Sequence, residues 1–175
     1  MNKCLTIRRK SVTLGYKEKI TKNHNEKEKE KMKKFELTEN YKMLFGRKLF
    51  QIRALVSIED VVKVGELGGY IEKEGNLSQF GNAWVSGNAK VFGNARVSGN
   101  SRVTENACVS GNALVTGNSR VTENARVSGN ALVTGNSRVT ENARVSGNAF
   151  VTGNSCVSGN DHVHGDALLL GDASL

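Results

Sequence analysis

His162 and His164 flank Val163, with Asp161 just before them. On an extended chain alternate residues share a side, so both imidazoles face the same way, where either can take a proton from a hydroxyl or amine as a general base. Asp161, His162 and His164 are therefore the candidate catalytic residues. A metal reading is weaker, because only the two histidines clearly share a face and zinc takes three or four ligands, so no metal site is expected. The bland reading is that their hexad is a decayed copy of a repeat at the end of an array, and it is the favoured one. Cys4, Cys108 and Cys156 have neither paired nor metal-type spacing, and an odd count reads as reduced thiols.

The pair sits inside a strict rhythm. From Val85 an aliphatic residue recurs at every sixth position, through Val91, Val97 and Val103 to Val163, Leu169 and Leu175. Four places after each comes a small residue, as at Ala89, Ala95 and Ser101, preceded by Asn at every site from Asn82 to Asn160. The unit is Val-Ser/Thr-Gly/Glu-Asn-Ala/Ser-x. Six residues are too few for a helical repeat, but they suit a strand of about three residues followed by a corner. Ala113 to Asn130 recurs unchanged as Ala131 to Asn148, so the full period is eighteen residues. One coil then has three sides, each stacked on its equivalent about 4.8 Å along the axis, with the aliphatic residues pointing inward. The predicted fold is all-β, a triangular solenoid of parallel sheet over 81–175. Glycine and asparagine suit the corners, and asparagines in register are expected to hydrogen-bond along the axis.

The eighteen-residue period sorts the outward side chains into columns. One holds Trp84, Arg102, Arg120, Arg138 and Cys156, with Glu105, Glu123 and Glu141 at the adjoining corner; a second holds Lys90, Cys108, Arg126, Arg144 and His162. Arginines about 4.8 Å apart repel one another, so the glutamates are expected to form an exposed ion-pair ladder with them, which weighs against a nucleic-acid strip. The third column is Arg96, Leu114, Leu132, Phe150 and Leu168, beside Ser98, Thr116, Thr134, Thr152 and Leu170. Leu114, Leu132, Phe150, Leu168 and Leu170 make a continuous apolar strip, the kind of surface that marks a contact.

Elsewhere the chain is bounded by composition. It has 175 residues, no proline, 19 glycines and 6% aromatics, which suits one modest domain with a core of small aliphatic residues. The net charge of +8 comes from residues 1–34, with 12 basic and 4 acidic side chains, against 13 of each in 35–175. Residues 1–34 read as a disordered basic tail, the one part of the chain where nucleic-acid contacts are entertained, and Met32, just before the patterned sequence, is a candidate true start. Residues 35–80 read as an N-terminal β cap: a hairpin around Gly46, a short Val61–Val64 strand and a glycine turn at Gly68-Gly69. No apolar run is long enough to span a bilayer, so no membrane contact and a cytoplasmic location are expected.

The run Val-x-Gly-Asn-Ala-x resembles the hexapeptide-repeat, left-handed β-helix family, whose best-known members are acyl- and acetyltransferases. The segment Lys34 to Val85, with Gly65-Glu66-Leu67-Gly68-Gly69-Tyr70-Ile71 and Asn76-Leu77-Ser78, is similar to the N-terminal part of a bacterial and phage subgroup that carries the transferase label. The resemblance spans Met32 to Leu175. It implies a left hand, acetyl-CoA or another acyl-CoA as co-substrate for any enzyme, His162 or His164 as the general base, and trimers packed through flat faces. Nothing in the sequence itself points to a cofactor. Family transferases have an extruded loop over the donor, whereas the hexads here run without interruption from Gly81 to Leu175. The preferred expectation is a scaffold or binding solenoid that forms a homo-oligomer, either a trimer or an end-to-end assembly, the latter because Leu175 is itself an inward position. An acyltransferase is second. A surface-binding protein of the ice-binding kind ranks last, since Arg or Leu lies beside the columns Thr104, Thr122, Thr140 and Thr116, Thr134, Thr152.

Overall fold

The computed structural model describes residues 33–175; the stretch Met1 to Met32, with Cys4, His24, the tail reading and the candidate start, lies outside the described residues. Residues 34–175 form one compact unit. The hairpin expected around Gly46 is present as β1 (Phe35–Leu44) and β2 (Arg47–Ala54), antiparallel and closed by Phe45 and Gly46 at φ 48° and 76°. Two successive positive φ values match the twist of the flanking strands.

Two local expectations in the cap are overturned. Gly68 and Gly69 make no turn; they lie within β3 (Leu67–Ile71), which pairs antiparallel with β2 and parallel with β5 (Lys90–Val91). A Cβ on Gly68 would lie 2.6 Å from both the Ile52 side chain and the Val85 carbonyl oxygen, so glycine is there for close approach. Val61–Val64 is not a strand. Asp60 turns the chain at φ 56°, and Ile58 bridges back to Val62, which places both side chains in the core while Val64 stays 63% exposed.

From Trp84 onward come fifteen two-residue strands, β4 (Trp84–Val85) to β18 (Leu168–Leu169), at the predicted spacing. Each pairs in parallel with the strand eighteen residues away, as Arg120 with Arg138 and Val121 with Val139. Three sheets result, the walls of a β-solenoid. The first wall has eight strands because β1, β2 and β3 extend it; the other two have five each. Ile71 stacks on Val91 and Leu77 bridges to Val97, so the cap supplies two sides of a preceding turn.

The valine columns from Val85 to Val157 are fully buried, as are the alanines from Ala83 to Ala149, in one cluster with Phe35, Ile52, Ile58, Val62, Ile71, Leu77 and Trp84. Each buried valine contributes about 1.5–3 kcal/mol by leaving water. Trp84 stands in register with Arg102 at the head of its column, but unlike the arginines its side chain is buried, at 2% exposed. In the serine column the hydroxyls of Ser119, Ser137 and Ser155 donate to the carbonyls three residues earlier at 2.6 Å, which satisfies them inside the prism.

The amide ladders form and have a direction. At the corner after the first wall the chain of donors runs from Lys73 Nζ to Asn94 (3.2 Å), then to Asn112 (3.2 Å), Asn130 (2.9 Å), Asn148 (2.9 Å) and Asp166 (2.8 Å). A carboxylate only accepts, so Asp166 obliges Asn148 to donate, and each amide above follows. At the top, Lys73 only donates. Asp172 ends a second ladder in the same way, accepting from Asn154 at 2.8 Å.

The cap is pinned by polar side chains, of which Asn76 and Lys34 are buried. Asn76 donates to the carbonyls of Gly93 (3.2 Å) and Ala95 (2.8 Å), and Glu72 accepts from the Gly93 N–H at 2.6 Å while holding Arg47 at 2.9 Å. That backbone N–H, then Arg47, holds the Glu72 carboxyl below the usual range. Lys34, grouped with the tail by composition, belongs to this anchor. It is 4% exposed, and its Nζ donates to the carbonyls of Ala83 (2.8 Å) and Gly81 (3.2 Å).

Burial lowers the Lys34 pKa from 10.5 to about 8. Between those two values the unfolded chain holds a proton that the folded chain has released, so stability rises with pH across that window. The expected slope is up to about 1.4 kcal/mol per pH unit, and below pH 8 this contribution is absent. Urea melts of wild type and Lys34→Met from pH 7 to 10.5 read it: the variant is expected to lose the slope, and parallel pH profiles would contradict the assignment.

Candidate functional site

The walls present the columns in the expected register. On the first wall Tyr70, Lys90, Cys108, Arg126, Arg144 and His162 follow one another, strand on strand. The second carries Trp84, Arg102, Arg120, Arg138 and Cys156. The third carries Arg96, Leu114, Leu132, Phe150 and Leu168.

The third wall is the least charged. Its outward positions from Leu114 to Leu170 are leucine, threonine or phenylalanine, with no ionisable group. Leu114, Leu132 and Phe150 are half-buried by their neighbours along the axis, while Leu168 and Leu170 are 57% and 52% exposed. Ser98 Oγ and Thr116 Oγ1 lie 3.0 Å apart, so this hydroxyl row is at least partly satisfied within the wall.

The expected ion-pair ladder on the second wall is not formed. Among the described residues the ion pairs within 4.0 Å are in the cap, Arg47 with Glu72 and Arg53 with Glu36. Glu105, Glu123 and Glu141 occupy the corner position at φ 60°, 60° and 59°, elsewhere held by glycine. From there a side chain extends along the axis: Glu123 Oε1 accepts from Thr140 Oγ1 of the next coil at 3.0 Å, and Glu141 Oε2 reaches toward Gly159. Arg120 and Arg138 are exposed and Arg102 is half-buried. Sequence alone gives the column but not the direction in which a positive-φ backbone aims it.

His162, in β17 (His162–Val163), and His164, the residue after that strand, are brought together as expected, both exposed, with ring centroids 6.4 Å apart in an edge-to-face arrangement. Asp161 is not on their side. It follows Ala143 in the small-residue column, is exposed, and its own carbonyl accepts from the Arg144 N–H at 2.9 Å. Cys108 is half-buried on the same wall, and burial pushes its thiol up against the opposing pull of Arg126 and Lys90, which suppresses the thiolate. Among the described residues no three His, Cys, Asp or Glu side chains converge on one point. No described helix is long and apolar enough to cross a membrane.

A protein of this architecture is a β-solenoid repeat protein. A family model described as the YdcK beta solenoid repeat matches residues 89–105, 125–141 and 143–160, three stretches that together make up less than a third of the chain. All three begin in one alanine column, at Ala89, Ala125 and Ala143, so the similarity follows the same eighteen-residue period as the walls. No curated protein matches the chain.

Proposed function

We propose that this chain is a non-catalytic scaffold or binding solenoid that self-associates through its third wall. The observation that carries this reading is the contrast between walls. Two display rows of arginine, whose like charge opposes packing of one copy on another, whereas the third offers Leu114, Leu132, Phe150, Leu168 and Leu170 in line with no charge among them. Copies packed face to face there bury apolar surface without stranding an ion. Light scattering of wild type and Leu132→Glu tests it. A glutamate in the centre of the strip is expected to reduce an oligomeric mass to that of one chain; a monomeric wild type, or an unchanged mass in the variant, overturns the reading.

An acyl-transfer reading draws on His162 and His164, which are accessible and close together. It takes the hexapeptide-transferase resemblance as its guide, with one imidazole as base and acetyl-CoA as donor. Because both rings stand on an open wall, a neighbouring chain has to supply the surface that excludes water from the thioester. Calorimetric titration of the assembled protein with acetyl-CoA separates the two: saturable binding favours the enzyme, and its absence leaves the scaffold.

A further inference from the structure

The hexad 161–166 departs from the copy stacked on it at four of its six positions. Residues 143–148 are Ala-Arg-Val-Ser-Gly-Asn, and 161–166 are Asp-His-Val-His-Gly-Asp. The inward valine and the corner glycine at φ 66° are kept. The other four positions all become nitrogen or oxygen donors of the kind that bind divalent ions. Loss of a repeat does not by itself select four donors.

Geometry divides these four. Asp166 is engaged at the end of its amide ladder, accepting from Asn148 at 2.8 Å. Asp161 lies in the alanine column, away from the histidines. His162 and His164 project together from the first wall with their rings 6.4 Å apart at 78°. Two imidazole nitrogens about 2.0–2.1 Å from one tetrahedral ion set their ring centroids about 5 Å apart. Rotation of two exposed side chains closes that difference.

One chain therefore offers two ligands on one side of an open wall, and no third donor among the described residues converges with them. We propose that His162 and His164 form half of a tetrahedral site for a borderline-soft divalent cation of the zinc type, and that the same pair from a second copy of this chain completes it. Four imidazoles satisfy such an ion without a further ligand. Arg144, in register with His162, opposes a cation there. Its exposed side chain is long enough to swing aside. The contact lies on the first wall and is independent of the third-wall strip.

Metal-stripped full-length protein carrying Leu132→Glu isolates this contact from the apolar one. Calorimetry with ZnCl2 is expected to show one ion taken up per two chains, and light scattering to show the mass doubling with added zinc. His162→Gln together with His164→Gln is expected to abolish both while leaving the thiols and His24 in place; His162→Gln alone is expected to abolish the doubling. Absence of saturable binding, equal zinc uptake by the parent and the double variant, or binding without a change of mass overturns the proposal.

Discussion

Val127→Asp is expected to unfold the middle of the solenoid, and Arg126→Asp, one residue earlier, to leave it nearly untouched. Val127 is fully buried between Val109 and Val145, whereas Arg126 points into solvent. The substitution forfeits about 1.5–3 kcal/mol of apolar burial. It also places a carboxylate where every nearby backbone group is committed to the ladder, at a cost of several kcal/mol more. Set against a total stability of about 5–15 kcal/mol for a domain of ordinary stability, that is enough to separate the coils on either side. The exposed change is expected to stay within about 0.5 kcal/mol. Urea melts followed by far-UV circular dichroism read both, and a Val127→Asp transition within about 1 kcal/mol of wild type would mean that the inward column has been misassigned.

The sequence is legible wherever a rule repeats. The valine column, the small-residue corner, the third-wall strip and the side-by-side histidines all follow from a period that admits one register, and the structure has them there. It is least legible where a residue type has two uses. Glycine reads as a turn, yet Gly68 and Gly69 are present because Ile52, Val85 and Ala89 leave no room for a side chain. Glutamate near arginine reads as an ion pair, yet from its positive-φ corner the Glu123 carboxylate accepts from Thr140 of the next coil instead.

That corner also shows how glutamate replaces glycine there. A Cβ at Gly117 would meet the Gly135 backbone N and O at 2.8 Å, but at Gly87 the nearest atom, Glu105 N, is 3.1 Å away. The amide ladder beside the glutamates is stretched in step, at 3.4 and 3.3 Å between Asn106, Asn124 and Asn142, against 3.0 Å from Asn100 to Asn118. Neither spacing is visible in a string of letters, and the same holds for Lys34, whose burial depends on carbonyls 47 and 49 residues further along the chain.

The place of every outward side chain depends on one coil closing after eighteen residues with one hexad per wall. Deleting Ala131 to Asn148 removes one such coil and joins Asn130 to Ala149, so Phe150 lands on Leu114 of the same wall and every valine stays inside. That variant is expected to keep the wild-type far-UV spectrum per residue and a cooperative thermal transition, at a somewhat lower temperature because one stacked repeat is gone. Deleting one residue fewer, Leu132 to Asn148, leaves a seven-residue gap between Val127 and Val151, turns each later valine toward solvent and is expected to abolish the transition. The melting of these two variants side by side is the most direct test: a folded eighteen-residue deletion beside an unfolded seventeen-residue one is the predicted result, and equal behaviour of the two would contradict the three-walled coil.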